Sequence, residues 1–170
     1  MTPPRTLRPA IPGPVVASSP GRATTPTRPA PTRVVVGVDE DPASWAALRF
    51  AAVEAARRGG DVLAVHCWQL PGSWTLPSSV DGRPPVAGVL GLGAVVEAVL
   101  SERVAAGEPT VVVTAETVQG EAATELWRLA QDAALLVVGA RHHDVLLGSV
   151  SHFLSGHPPC PLVVVPAPPA

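Results

Sequence analysis

Strand-like and helix-like segments alternate along this chain, and that alternation constrains its fold more than any other feature of the sequence. The first segment, Arg33-Val34-Val35-Val36-Gly37-Val38, is a β-branched run without polar alternation, which is typical of a strand buried on both faces of a parallel sheet. Further strands are predicted at residues 61–68, 110–116, 135–138 and 161–165. Right-handed crossovers between parallel strands are the simplest connection. The sequence therefore predicts an α/β fold with a five-stranded parallel sheet and two helices on each face.

The segments between the strands predict four helices and one long loop. Asp41 can cap the first helix, and Gly59-Gly60 ends it. Residues 69–93 are rich in Gly, Pro and Ser, so we expect a loop there. In the second helix, Val104 is expected to face inward and Arg103 outward. The remaining helices are predicted at about 94–106, 120–133 and 150–156.

The two ends of the chain are predicted to lie outside this domain. Residues 1–32 contain nine prolines and four arginines, and the first acidic residue of the chain is Asp39. Such a segment buries too little apolar surface to offset its ordering entropy. We therefore expect a disordered Pro/Arg-rich tail at 1–32, a folded domain at 33–166 and a short C-terminal tail at 167–170.

Composition excludes several classes of function. The formal net charge is −2 and all 12 basic residues are arginine, so there is no electrostatic case for a specific nucleic-acid partner. No apolar stretch approaches the ~20 residues that a membrane span needs. Cys67 and Cys160 are too few for a disulfide framework and are typical of a reduced pair. We expect a cytoplasmic protein with no membrane segment.

Candidate functional residues follow the first and fourth predicted strands. In a doubly wound sheet the strand order reverses between such strands, and ligands bind at their carboxyl ends. Asp39 and Gly139 stand at those two ends. Gly148-Ser149 then opens the last helix, whose N-terminal N–H groups favour anions, and Ser149 is expected to be its N-cap.

No catalytic residue and no metal centre are predicted. Ser149 lacks the Gly-x-Ser-x-Gly turn of a nucleophile. His142 and His143 are adjacent, so in an extended loop they point in opposite directions and do not chelate one ion. Arg141 and these histidines could instead form an anion site with the N–H groups of Ser149 and Val150, or the loop could be a solvated polar turn.

Several motifs together show that residues 33–166 resemble the universal stress protein family of nucleotide-binding-like α/β domains. The resemblance implies an adenine-nucleotide-hydrolase-like, Rossmann-type fold with strand order 3-2-1-4-5 and homodimerisation through the last strand, 162–165. In one branch of the family it also implies ATP held by a glycine motif. The motifs that match are Val35-Val36-Gly37-Val38-Asp39, Val65-His66-Cys67-Trp68, Val137-Val138-Gly139, Leu147-Gly148-Ser149-Val150-Ser151 and Cys160-Pro161-Leu162-Val163-Val164-Val165-Pro166.

Two departures from the ATP motif of that branch concern the phosphates. The motif has a glycine, two residues, a second glycine, nine residues, and a glycine followed by Ser or Thr. Gly139 and Gly148-Ser149 match its ends, but eight residues lie between them instead of twelve, and His142 replaces the second glycine. The turn Asp39-Glu40-Asp41 also replaces the usual Asp-Gly-Ser. A shorter loop and added carboxylates argue against a wrapped triphosphate unless a divalent metal such as Mg²⁺ lies between them.

The resemblance and its departures lead to one candidate nucleotide site and three hypotheses. By resemblance, Asp39 is the carboxylate near the adenosine, and the backbone of Cys67 faces the base. The favoured hypothesis is a non-enzymatic, dimeric stress-response module with a weakened ATP site. One alternative is a functional ATP, ADP or AMP binding protein with at most slow hydrolysis, and the other is a protein-interaction scaffold acting through the last strand. The candidate site residues are Asp39, Cys67, Gly139, Arg141, Gly148, Ser149 and Val150.

Overall fold

A computed structural model of the chain describes residues 31–69, 86–140 and 148–168. Most of the predicted N-terminal tail and Arg141 lie outside these ranges. Within them, strands and helices alternate as the sequence predicts. The elements are β1 (Val34–Gly37), α1 (Pro42–Arg58), β2 (Val62–Trp68), α2 (Val86–Ala105), β3 (Val113–Gln119), α3 (Ala122–Leu129), β4 (Leu135–Ala140), α4 (Ser149–Gly156) and β5 (Leu162–Pro166).

The five strands form one sheet in the order β3-β2-β1-β4-β5, and every pairing is parallel. This confirms the predicted fold class and the strand order that the resemblance implies. β1 is central, with Val34 in register with Val62 on one side and Leu135 on the other. Because the order reverses between β1 and β4, the carboxyl ends of these two strands border a crevice at the sheet edge.

Apolar layers on both faces of the sheet hold the helices in place. Val34 and Val36 belong to the layer packed beneath α1 and α2, whereas Val35 belongs to the layer beneath α3 and α4. All three valines are fully buried, as the continuous apolar run predicts for a strand covered on both faces. The predicted arrangement of two helices on each face is confirmed.

The first helix follows its predicted start and stop signals. The Asp41 carboxylate accepts a hydrogen bond from the Ser44 N–H at 3.0 Å, and Pro42 is the first helical residue. Gly59 ends the helix in the left-handed region, at φ 62°, and its N–H donates to the carbonyl of Ala56 at 3.2 Å. α1 therefore presents a rigid N-terminal turn to the edge of the sheet.

The predicted loop at 69–93 is wrong over its last part, because α2 begins at Val86 and runs through Gly91 and Gly93. Glycine has a low helix propensity, but tertiary packing overrides it here. Leu92, which lies between the two glycines, is buried in the apolar layer beneath α1 and α2.

The predicted faces of α2 are also wrong in two positions. Arg103 is only 7% exposed, whereas Val104 is 68% exposed. The Arg103 guanidinium lies 2.6 Å from a Glu108 carboxylate oxygen and donates to the Pro109 carbonyl at 2.9 Å. These contacts offset the cost of burying the guanidinium charge, and they connect the end of α2 to the segment before β3.

Two further boundaries differ from the prediction. β3 begins at Val113 instead of residue 110. Its pairing with β2 starts where Val113 is in register with Val62, and the preceding Val112 is 69% exposed. α3 ends at Leu129 instead of 133, since the N–H of Ala130 closes the last turn on the Leu126 carbonyl. β3 also ends at Gln119, three residues beyond its predicted end, and differences of one or two residues occur at the remaining strand ends.

Candidate functional site

The carboxyl ends of β1 and β4 open onto a cavity whose side walls are α3 and α4. Strand β2 contributes to its floor, and the first turn of α1 closes one side. The cavity brings together six of the seven predicted site residues, the seventh, Arg141, lying outside the described ranges. The lining includes Asp39, Cys67, Gly139, Gly148, Ser149 and Val150, together with Gly37, Val38, Asp41, Ser44, Val65, Ala122, Leu126, Val138 and Ser151.

Ser44, a buried residue in the first turn of α1, fixes the loop that carries Asp39. Its hydroxyl accepts a hydrogen bond from the Asp39 N–H at 3.0 Å and donates to the Asp39 carbonyl at 2.6 Å. The Glu40 N–H donates to Asp39 Oδ1 at 2.9 Å. One hydroxyl therefore satisfies both backbone groups of Asp39. This role of Ser44 was not predicted, and its position three residues after the N-cap Asp41 was the available signal.

Gly139 has a packing role that is independent of any phosphate. A Cβ atom at this position would lie 2.7 Å from both the Ala43 carbonyl carbon and the Ser44 nitrogen. Only glycine lets β4 approach the first turn of α1 so closely. The fold alone therefore requires glycine at this position.

Helix α4 begins without a capping side chain from any residue that the structure describes. Its N-cap is Gly148, so the prediction that Ser149 is the N-cap is wrong, and Ser149 is the first helical residue. The nearby Ser151 hydroxyl donates to the Gly148 carbonyl at 3.0 Å instead of accepting from a first-turn N–H. No described side chain caps this turn, and Ser149 and Val150 line the cavity. The geometry suits an anion, because the N-terminus of a helix carries a partial positive charge.

Helix α3, in the opposite wall, has its N-terminus occupied. The Glu121 carboxylate accepts hydrogen bonds from the Ala123 N–H at 3.1 Å and from the Thr124 N–H at 2.7 Å. The Thr124 hydroxyl also donates to it at 2.7 Å. The hydroxyl hydrogen bond, opposed by partial burial and reinforced by the two N–H groups, lowers the pKa of Glu121 below its usual value. Glu121 is therefore ionised at neutral pH and fills the anion position of α3.

Cys67 lies in the cavity as a half-buried thiol. Burial raises its pKa to about 11, with smaller contributions from the negative charges of Glu125 and Glu121. The thiol is thus protonated at neutral pH, which disfavours a nucleophilic role for it. In the parts of the chain that the structure describes, no three His, Cys, Asp or Glu side chains form a group that could hold a metal ion.

The doubly wound parallel sheet, with a cavity where its strand order reverses, defines a Rossmann-like α/β domain. A sequence model of the universal stress protein family matches residues 31–166. The chain belongs to the universal stress protein family.

Two mycobacterial proteins are among its relatives. Universal stress protein Rv1996 of Mycobacterium tuberculosis is 34% identical over 158 residues, covering 85% of this chain and 48% of that protein. Universal stress protein Rv2623 of the same organism is 32% identical over 139 residues, covering 77% of this chain and 44% of that protein. The chain spans about half the length of these relatives. Over residues 31–69, 86–140 and 148–168, no helix has the length and apolar character needed to cross a membrane.

Solved structures of the same family share the fold. A universal stress protein in complex with cAMP has a TM-score of 0.57 at 23% identity, covering 82% of this chain and 99% of that one. An Archaeoglobus fulgidus universal stress protein in complex with dAMP has a TM-score of 0.55 at 24% identity, covering 78% and 96%. An Arabidopsis thaliana family member with AMP bound has a TM-score of 0.52 at 19% identity, covering 81% and 93%.

Proposed function

We propose that this chain is a non-enzymatic stress-response module that binds an adenosine nucleotide with one phosphate group, and that its ATP site is weakened. The observation that carries this proposal is the difference in charge between the walls of the cavity. The N-terminus of α4, which no described side chain caps, can receive an anion, while the carboxylates of Asp39 and Asp41 line the same cavity. One phosphate group matches one available helix N-terminus.

The N–H groups of Ser149 and Val150 are the proposed phosphate donors. Asp39 and Asp41 line the same cavity, so further phosphate groups would meet like charges. Mg²⁺ between the carboxylates and a longer nucleotide would reduce that repulsion. We therefore expect Mg²⁺ to matter for ATP and ADP and to have little effect on AMP.

The adenosine half of the ligand is proposed to lie against β1 and β2. Asp39 and the backbone of Cys67 are at the ends of these strands and line the cavity. The raised pKa of the Cys67 thiol keeps this side chain neutral beside an uncharged base. Relatives of the same fold in complex with cAMP, dAMP and AMP support a ligand of this size.

Isothermal titration with AMP, ADP and ATP tests the ranking of these ligands. Without Mg²⁺, AMP is expected to bind about tenfold more tightly than ATP, since two extra charges near two carboxylates cost roughly 1.4 kcal/mol. With Mg²⁺ the difference should shrink. ATP binding as tightly as AMP without Mg²⁺, or no binding of any adenine nucleotide at millimolar concentration, would contradict the proposal.

Two glycine variants at opposite ends of α4 localise the ligand. Gly148→Val adds a side chain at the N-cap beside the proposed phosphate and should abolish the rise in Tm that AMP causes. Gly156→Val is the matched control, because a Cβ atom there meets no other atom within 4 Å. Asp39→Ala should also lose the ligand-induced shift if the carboxylate contacts the adenosine.

The position of β5 supports a second proposed role, in which this strand forms an interface between copies of the chain. β5 is at the edge of the sheet, and Leu162, Val163, Val164 and Val165 are only half-buried. A paired edge would cover this apolar surface. We propose a homodimer through residues 162–165, which would also suit a protein-interaction scaffold.

Multi-angle light scattering at tens of micromolar checks the dimer. The expected mass is twice 17.4 kDa. Val164→Arg should shift the protein to a monomer because it places a charge in the proposed interface. Glu97→Arg, on the exposed side of α2, is the control and should remain dimeric. A monomeric wild-type protein would remove this interface from the proposed function.

A further inference from the structure

Two helix N-termini stand in the walls of one cavity, and among the described residues a carboxylate caps only that of α3. We propose that Glu121 sets the charge selectivity of the site by acting as a built-in anion at α3, which confines the ligand's own anionic group to α4. This inference rests on the proposed nucleotide function and deepens it by naming the residue that ranks ligands by charge.

The first step is that α3 faces the same cavity as α4. Ala122 and Leu126 of α3 line it together with Ser149 and Val150 of α4. At α3, the N–H groups of residues 123 and 124 already donate to the carboxylate of Glu121. A full negative charge therefore outweighs the partial positive charge of about +0.5 that this helix end would otherwise present.

The second step is that no described residue forms an ion pair with Glu121. Its neighbour Glu125, by contrast, pairs with Arg128 at 2.8 Å. The field of both carboxylates reaches the cavity, since after burial they are the groups that raise the pKa of the Cys67 thiol. A nucleotide in this cavity therefore experiences the charge of Glu121.

The third step is the contrast with α4. Its N-cap is Gly148, which brings neither a side-chain acceptor nor a charge. A ligand phosphate is stabilised at α4 and repelled from α3, so each additional phosphate group increases the repulsion without gaining a second helix end. The two walls together select ligands with one anionic end and one uncharged end.

Glu121→Gln removes the charge and keeps an oxygen that can accept the capping hydrogen bond. The measurement is the Kd of adenosine, AMP, ADP and ATP by isothermal titration at low ionic strength without Mg²⁺. The expected gain in affinity increases with ligand charge, from none for adenosine to about twofold for AMP and about fourfold for ATP. High salt should reduce these gains. Glu97→Gln, on the exposed side of α2, is the control and should change no Kd.

Equal changes for all four ligands, or no change, would overturn the role of Glu121 while leaving the nucleotide site intact. If the wild-type chain binds no nucleotide, the proposed function fails, and the role of Glu121 is then decided by the variant alone. ATP binding gained in Glu121→Gln would support the role, and continued absence of binding at millimolar ATP would refute it. Urea unfolding of each variant confirms that the protein is folded.

Discussion

Gly139→Ala will lower the free energy of unfolding by about 3 kcal/mol, the upper end of the usual cost of overpacking. The added methyl group would approach backbone atoms of Ala43 and Ser44 to 2.7 Å. Backbone of a buried helix turn cannot rotate away as a flexible side chain can, so β4 and α1 must separate. Equilibrium unfolding in urea measures the effect. Nucleotide affinity should fall as well, because Ser44 holds Asp39 in place.

The same substitution at Gly91 serves as the control. Gly91 is in the interior of α2, and a Cβ atom there meets no other atom within 4 Å. Alanine should therefore stabilise the protein by roughly 0.5–1 kcal/mol through its higher helix propensity. A loss of stability in Gly91→Ala, or no loss in Gly139→Ala, would show that close packing of β4 against α1 does not require glycine at position 139.

Leu154→Ala will cost about 3 kcal/mol of stability and will also weaken the proposed nucleotide binding. Leu154 is fully buried beneath α4 in the layer that it shares with α3. Removing it leaves a cavity, and a helix of eight residues has little stability of its own without such an anchor. The N–H groups of Ser149 and Val150 would then lose their fixed position. Unfolding in urea and titration with AMP measure the two effects.

The neighbouring residue offers a matched control for this prediction. Phe153 is 47% exposed on the outer side of α4, so Phe153→Ala should change stability by no more than about 0.5 kcal/mol. AMP affinity should stay unchanged. An equal loss in both variants would mean that α4 is held by its general apolar surface and not by Leu154.

Much of the fold follows from the sequence because buried parallel strands carry a simple signal. The run Val34-Val35-Val36 is covered on both faces, so every position is apolar, and no choice of register is needed to recognise it. Strand order is harder to predict, because no single segment indicates which strand lies next to it in the sheet. The order β3-β2-β1-β4-β5 came from the family resemblance and is confirmed by the pairing.

The errors in the prediction have tertiary causes. Glycines near the start of α2 are typical of a loop, but burial of Leu92 keeps them helical. Arg103 was expected to be exposed because it is charged. Its contacts with Glu108 and Pro109 offset the cost of burying the guanidinium charge. Val112 is apolar and exposed because the pairing with β2 starts one residue later.

The places of Asp39 and Gly139 in the fold were predicted from the sequence, whereas the pattern of charges around the cavity was missed. Asp39 and Gly139 were expected at the reversal of strand order, and the structure places both in the cavity there. Glu121 was missed because glutamate is not among the preferred N-cap residues, and only coordinates show that its carboxylate turns back onto α3. Glu121 lies near the cavity because the crossover helix α3 begins there, and no sequence motif indicates this position.

The hydroxyl of Ser44 has a consequence for the thermodynamics of recognition. Since it satisfies the N–H and the carbonyl of Asp39 before any ligand arrives, the turn after β1 has little conformational freedom left to lose. Pre-organisation of this kind reduces the entropic cost of association. On this side of the cavity, binding should therefore resemble docking onto a rigid surface, with a fast on-rate and little conformational adjustment.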